Sequence, residues 1–166
     1  CVQAAEQKMM AKPTARGYLP IDGIALYDAA VKALVFGADS EPVTSGRVVT
    51  VQAIGGTGGL KIGADFLKKL SRNAKVLISD PSWENHRALF TNAGFEVGTY
   101  AYYDAEKRGV NFDGMLESLK AAAPGTIVVL HACCHNPTGY DITPAQWDQV
   151  IAVVKAKELT PFLDMA

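Results

Sequence analysis

Short strand-like segments alternate with longer helical ones along most of this chain, and this alternation limits its possible folds more than any other feature. Runs of β-branched and apolar residues predict strands at 48–53, 76–78, 95–103, 127–130 and from 161 onward. Helical segments, with apolar residues three or four positions apart, separate these strands. Because strands that alternate with helices form βαβ units, we predict an α/β fold with a largely parallel sheet and helices on both faces.

The N-terminal part of the chain follows a different pattern. A short helix is predicted up to about Ala11, and the prolines of segment 12–20 then favour extended or turning chain. A second helix follows, and Gly37 is suited to cap its C-terminal end. We therefore divide the chain into a helical and extended segment, residues 1–46, and an α/β domain over residues 47–166.

Composition excludes several classes of protein. With 166 residues, 49% of them apolar and 20% charged, the chain is expected to be globular rather than disordered. Sixteen Lys and Arg against seventeen Asp and Glu give a net charge of -1, which argues against a nucleic-acid partner. The longest apolar runs are the size of strands, so no membrane span is predicted.

The cysteines and the first residues bear on localisation. The chain has three cysteines, and Cys133 and Cys134 are adjacent, which is a poor basis for a disulfide framework. The first residues lack an initiator Met, and they lack the basic and then apolar regions of a signal peptide. We therefore expect a reducing compartment and a cytoplasmic localisation.

Unusual residues follow one predicted strand after another. They are the glycine cluster 55–59, the segment 80–83, the segment 131–139 and Asp164. In parallel sheets, ligands bind outside the carboxyl ends of the strands. The sequence therefore predicts a single pocket built from these four segments.

The glycine cluster has two interpretations from its residues alone. Gly55 to Gly59, with Thr57 among them, lies between a predicted strand and a helix, where free backbone N–H groups can bind an anion. The spacing matches neither a Walker A motif nor G-x-G-x-x-G, because Lys61 stands where the third glycine of the latter belongs. A phosphate site and a flexible strand-to-helix turn both remain open.

The other candidate residues are equally ambiguous when each is taken alone. Trp83 can stack on a flat ligand or fill the core, and His86 can simply lie on a helix surface. Asp164 follows an apolar strand, where a carboxylate is costly without a partner, but it can also lie in solvent or cap a helix. Asn136 precedes a proline, so its backbone is held extended and its amide can be directed at a ligand.

A metal site is not expected. If the strand that begins at 127 continued, His131, Cys133 and His135 would share one face. The sequence has no second ligand cluster with zinc-like spacing, and the prolines and glycines of this segment indicate a tight loop.

In combination, the motifs resemble the class I pyridoxal-phosphate aminotransferases, in the aspartate and aromatic aminotransferase branch. The motifs occur in order at 18–23, 54–60, 80–86, 100–104, 131–139 and 163–166. The resemblance covers essentially the whole chain. It implies part of the large, three-layer αβα domain of a pyridoxal-phosphate-dependent transferase. It also implies a homodimer that acts on amino acids and 2-oxo acids, without nucleic acid or membrane partners.

The resemblance also assigns roles at matching positions in the cofactor's phosphate site. Gly56 and Thr57 are expected to hold the cofactor phosphate, and Gly55 stands where relatives often have Ser or Gly. Tyr18 is expected to reach the phosphate of the neighbouring subunit. The peptide bond before Pro81 is expected to be cis.

In the family, a second group of residues binds the ring of the cofactor. By the resemblance, Trp83 stacks on the pyridine ring and Asn136 hydrogen-bonds the phenolic oxygen. Asp164 pairs with the pyridine nitrogen, and His86 and His131 support that carboxylate with hydrogen bonds. The peptide bond after Asn136, before its proline, is also expected to be cis.

The segment matched here lacks other parts of the family's site. No Lys stands in the context of the family's Schiff-base Lys, so no catalytic residue is assigned. Two interpretations remain open. In the first, the chain is a piece of an enzyme that transfers amino groups between aspartate or aromatic amino acids and 2-oxo acids, and is inactive alone. In the second, it is a natural short, non-catalytic relative that binds a phosphate-bearing ligand or a partner protein.

Overall fold

The structure is a computed structural model and describes residues 1–15 and 17–166. Arg16 falls within the segment 12–20, for which extended or turning chain is predicted, and lies outside the described residues. The chain forms two compact units, residues 1–53 and 54–166.

The first unit contains three helices in its described residues. They are α1 (Val2–Ala11), α2 (Ala25–Phe36) and α3 (Glu41–Thr44). Gly37 caps α2 with a φ of 82°, as predicted from the sequence. The Gln52 side chain fastens the start of α2, because its Oε1 accepts a hydrogen bond of 3.0 Å from the backbone N–H of Ile24.

The strand predicted at 48–53 is wrong, since the described part of the first unit contains no strand. Its β-branched residues have the right propensity, but a strand also needs a neighbouring strand to complete its hydrogen bonds. Val49 is instead 83% exposed, and the backbone N–H of Gln52 donates to the carbonyl oxygen of Asp22 at 2.8 Å.

The second unit contains the sheet. Its helices are α4 (Gly55–Leu70), α5 (Glu84–Asn92), α6 (Phe112–Ala121) and α7 (Pro144–Ala156). Its strands are β1 (Lys75–Asp80), β2 (Glu96–Ala101), β3 (Tyr103–Asp104), β4 (Gly109–Val110), β5 (Ile127–Cys133) and β6 (Thr160–Met165). Four strands pair in parallel in the order β2-β1-β5-β6, so the prediction of a parallel sheet is confirmed.

The predicted strand at 95–103 is in fact two elements. After β2 ends at Ala101, β3 pairs with β4 in an antiparallel hairpin. The carboxylate of Asp104 organises the turn between them by accepting hydrogen bonds of 3.0 Å from the backbone N–H groups of Glu106 and Lys107. Such local side-chain to backbone bonds favour turns over continued strand.

Strand β5 shows the layering most directly. Its residues Ile127 and Val129 are buried with residues of α4 and α5, whereas Val128 and Leu130 are buried with residues of α6 and α7. Successive side chains of a strand point to opposite faces, so helices cover the sheet on both sides. The predicted three-layer αβα arrangement is confirmed.

Two further features of the described chain concern the protein's surroundings. None of the helices in residues 1–15 and 17–166 is long and apolar enough to cross a membrane. All three cysteines are free.

Candidate functional site

A cavity of about 330 Å³ opens at the carboxyl ends of β5 and β6. Its lining includes five of the residues that the sequence assigns to one pocket, namely Gly56, Trp83, His131, Asn136 and Asp164. The residues come from four separate segments, which meet because parallel strands end at the same edge of the sheet. A groove of about 400 Å³ between α7 and β6 is lined almost entirely by apolar side chains and has no comparable group of polar residues.

The glycine cluster forms the first turns of α4 rather than a loop before it. The helix begins at Gly55, whose φ of 61° is in the left-handed region that glycine tolerates. The first N–H groups of a helix lack intrahelical partners, so those of Gly55, Gly56 and Thr57 are available to a ligand. A side chain built at Gly55 or Gly56 would meet no atom within 4 Å, so open space lies beside this turn.

A hydrogen-bonded chain connects Asp164 to the helix α5. The Nε2 atom of His86 lies 2.8 Å from Oδ2 of Asp164, and its Nδ1 atom lies 2.9 Å from Oγ of Ser82. The ring of His86 is fully buried, whereas the Asp164 side chain is 21% exposed. If the Ser82 hydroxyl donates to Nδ1, the neutral ring donates from Nε2 and holds the carboxylate in one orientation.

His131 is placed differently from the expectation. It lies opposite Asp164 in the β5–β6 ladder, and its ring centroid is 4.9 Å from that of His86. Neither of its ring nitrogens has a hydrogen-bond partner among the described residues, so the expected hydrogen bond to Asp164 is not formed. Burial, followed by the neighbouring His86, lowers the pKa of His131, which favours a neutral ring packed between two other imidazoles.

The set of potential metal ligands also differs from the one considered from the sequence. Ligand atoms of His86, His131 and Asp164 lie within 4.8 Å of one another, whereas Cys133 and His135 are not part of this cluster. His86 and Asp164 are already hydrogen-bonded to each other. The absence of a metal therefore stays a prediction.

Trp83 stands at the entrance to α5. It is the N-cap residue of that helix and is partly buried. Its ring meets that of His86 edge-on, with an interplanar angle of 89° and centroids 5.5 Å apart. The predicted cis peptide bonds before Pro81 and Pro137 are both present.

Asn136 is presented by a loop whose supporting contacts were not predicted from the sequence. The buried His135 hydrogen-bonds Oγ of Ser79 at 2.9 Å and Oγ1 of Thr138 at 2.8 Å. Burial, and then the neighbouring His131, lowers the pKa of His135 to about 4. The side chain of Asp141 accepts two backbone hydrogen bonds from the same loop. No local sequence pattern predicts these hydrogen bonds; the only sequence signal for them is the density of polar residues in this segment.

The similarity of the chain to known proteins decides its family. All 166 residues match the family model for "Aminotransferase class I and II". The chain belongs to this aminotransferase family. It is 61% identical over 165 residues to the aspartate aminotransferase of Pseudomonas aeruginosa and 50% identical over 166 residues to the aromatic-amino-acid aminotransferase of Escherichia coli. In both comparisons, 99% of this chain spans 42% of the relative's length.

Solved structures agree with this aminotransferase assignment. The aromatic-amino-acid aminotransferase from Burkholderia pseudomallei, covalently bound to pyridoxal phosphate, superposes with a TM-score of 0.97 at 65% identity. The match covers 99% of this chain and 41% of that protein. The aspartate aminotransferase from the cytoplasm of Saccharomyces cerevisiae superposes with a TM-score of 0.94 at 35% identity.

Proposed function

We propose that this aminotransferase segment binds pyridoxal phosphate in the cavity described above. As part of a full-length enzyme, it would serve transamination between aspartate or aromatic L-amino acids and 2-oxo acids. The observation that carries this proposal is the Asp164 carboxylate, held by His86 at a cavity that Trp83 and the start of α4 also line. The names of the relatives support the substrate classes.

The chemistry of the cavity fits the cofactor. Pyridoxal phosphate is a planar ring with a basic nitrogen, a phenolic oxygen and a phosphate group. Around the cavity the chain offers a carboxylate, an amide, an aromatic ring and a helix N-terminus, each suited to one of these groups. When bound, the cofactor supplies an electron sink for the carbanion that transamination requires.

The start of α4 would hold the phosphate. The free N–H groups of Gly56 and Thr57, with the Thr57 hydroxyl, would donate to its oxygens, and the positive end of the helix dipole favours its negative charge. Gly55 permits the left-handed backbone that opens this turn.

Asp164 would face the ring nitrogen. A carboxylate close to that nitrogen favours its protonated form. The hydrogen bond from His86 orients the carboxylate, and the neutral His131 packs beside His86 rather than competing for Asp164. The role of these residues is therefore to hold a proton at one atom of the cofactor.

Three more residues complete the proposed assignments. Trp83 would stack on the ring and fix its plane, and the exposed Asn136 would donate to the phenolic oxygen. Tyr18, in the first unit, has a fully exposed side chain and would reach the phosphate of a neighbouring subunit in a homodimer. We also propose a cytoplasmic localisation, which the three free cysteines support.

The proposal is tested by amino-group transfer in the full-length protein that contains this segment. Aspartate and an aromatic amino acid are offered as donors with a 2-oxo acid acceptor, and transfer is expected only with pyridoxal phosphate present. Failure of both donors would contradict the proposal. For the alternative of a natural short relative, the intact mass of the purified polypeptide is compared with the length of its reading frame.

The 166-residue chain itself provides a second test. No Lys is assigned to the cofactor, so borohydride is expected to fix no cofactor at a defined site, and the absorbance should remain that of free cofactor. A stoichiometric reduced adduct would show that the isolated chain holds the cofactor covalently.

A further inference from the structure

The loop that presents Asn136 is fixed from outside the cavity by one carboxylate. Oδ2 of Asp141 accepts a hydrogen bond of 2.8 Å from the backbone N–H of Cys134, and Oδ1 accepts one of 2.8 Å from that of His135. These are the two residues immediately before Asn136. Cys134 has a φ of 55°, a left-handed conformation that a non-glycine residue keeps only when its surroundings enforce it.

Other contacts hold the rest of the loop in place. The ring of His135 lies on that of Tyr102, with centroids 3.8 Å apart and an interplanar angle of 12°. The hydroxyl of Tyr102 donates to the carbonyl oxygen of Tyr140 at 2.7 Å. The backbone N–H of Gly139 donates to the carbonyl oxygen of His135 at 2.8 Å. The loop is therefore held on both sides of Asn136, while Asn136 itself is exposed and borders the cavity.

We propose that Asp141 is a positioning residue that directs the amide of Asn136 at the cofactor's phenolic oxygen. This inference rests on the proposed function, because it needs the cofactor in the cavity. Asp141 does not line the cavity, so its proposed action on Asn136 passes through the loop and not through contact with the cofactor. Hydrogen bonds to an ionised carboxylate are about twice as strong as neutral ones, which suits this carboxylate to fixing a strained backbone.

Asp104 offers a control for the loss of a carboxylate charge. Its carboxylate also accepts two backbone N–H bonds, those of Glu106 and Lys107, in the β3–β4 hairpin. It too is absent from the lining of the cavity. Asp141→Asn keeps the shape of the side chain but sets an NH₂ group against one backbone N–H group, because the two bonds go to different carboxylate oxygens. Both bonds of Asp104 go to Oδ1, so Asp104→Asn removes the charge but can keep both bonds. Asp104→Asn therefore controls for the loss of one carboxylate charge, and only Asp141→Asn disturbs the loop that supports Asn136.

The experiment is a double-mutant cycle in the full-length protein with pyridoxal phosphate as the probe. The variants are Asp141→Asn, Asn136→Ala and the double variant, with Asp104→Asn as the control. For each one, the dissociation constant of the cofactor and the pH midpoint of the bound cofactor's absorbance change are measured. Thermal unfolding of the cofactor-free protein reports on any general loss of structure.

Coupling distinguishes positioning from general stabilisation. Asp141→Asn is expected to weaken cofactor binding about tenfold and to shift the absorbance midpoint in the same direction as Asn136→Ala. In the Asn136→Ala background it should add less than about twofold, because residues that act through one contact are not additive. Asp104→Asn should leave both readouts unchanged.

Three results would overturn the inference. They are additive effects of Asp141→Asn and Asn136→Ala, equal effects of the two Asp→Asn variants, and an unchanged absorbance midpoint in Asp141→Asn. If Asn136→Ala itself leaves the cofactor unaffected, the proposed role of Asn136 fails and this inference fails with it. If full-length Asp141→Asn does not fold, Asp141→Glu replaces it in the cycle. That variant keeps the charge but displaces the two accepting oxygens by one methylene group, and it is expected to show the same coupling with Asn136→Ala.

Discussion

His86 and Asp164 are 78 positions apart in the sequence, yet Nε2 of His86 lies 2.8 Å from Oδ2 of Asp164. One residue is on α5 and the other is near the end of β6. The α/β fold brings them together at the edge of the sheet where the cavity opens. The pair combines a fully buried ring with a carboxylate that still reaches the cavity.

Removing the ring of His86 should therefore lower cofactor-dependent turnover more than it lowers the stability of the fold. In the full-length enzyme, His86→Ala leaves Asp164 free to rotate, and we expect turnover to fall by about tenfold or more, as for loss of a hydrogen bond to a charged group. Asn92→Ala, at the exposed end of the same helix, is the control and should keep normal turnover. Equal turnover in the His86 variant and the wild type would argue against this role.

Two glycines of α4 provide a comparison within one helix turn. Ala is a better helix former than Gly, and a Cβ at Gly56 meets no atom within 4 Å while one at Gly58 makes ordinary contact with Ile54. Gly56→Ala and Gly58→Ala should therefore both keep the fold. Gly56 lines the cavity, so its new methyl group should weaken pyridoxal-phosphate binding. Equilibrium binding to the two full-length variants checks this, and equal affinities would contradict a phosphate site at Gly56.

Burial of His135 makes stability depend on pH in a defined window. The pKa of this histidine falls from its usual 6.5 to about 4 in the folded protein. Between these values the unfolded chain binds a proton that the folded chain does not, so stability should fall as the pH drops from about 6.5 towards 4. Thermal unfolding across this range should show a shallower slope for His135→Gln. Identical slopes would mean that His135 is not responsible for this pH dependence. Loss of stability below about pH 4 is instead expected from carboxylates such as Asp141, whose pKa is lowered by the hydrogen bond from the backbone N–H of His135.

The isolated 166-residue chain should self-associate. Its apolar groove between α7 and β6 has a volume of about 400 Å³, and Leu163 on the edge strand β6 is 56% exposed. Exposed apolar surface and unpaired strand edges both favour association. Sedimentation at micromolar concentration measures this directly. A stable monomer that unfolds cooperatively would contradict the expectation.

The sequence predicted the architecture where the fold depends on local periodicity. The alternation of short apolar runs with amphipathic helices was sufficient to predict a parallel sheet between helices, since the composition of each run by itself indicates a buried strand. It failed at 48–53, because β-branched residues do not specify a partner strand. It also missed the hairpin after Ala101, because the turn depends on how the Asp104 carboxylate meets the backbone.

The sequence predicted which residues form the site better than it predicted the hydrogen bonds that those residues make. Residues at strand ends must meet at one edge of a parallel sheet, which is why Gly56, Trp83 and Asp164 can be grouped from the sequence alone. The hydrogen bonds of single side chains depend on rotamers and loop geometry that local sequence patterns do not specify. His131 therefore lacks the bond expected of it, and the Asp141 contacts were not predicted.

The most direct test of this account is the turnover of full-length Asp164→Ala. The carboxylate is the group proposed to hold the proton on the cofactor's ring nitrogen, so its loss should lower amino-group transfer by orders of magnitude. The circular dichroism spectrum and the unfolding temperature should stay close to those of the wild type. Near-normal turnover in a folded, cofactor-bound Asp164→Ala variant would contradict the account.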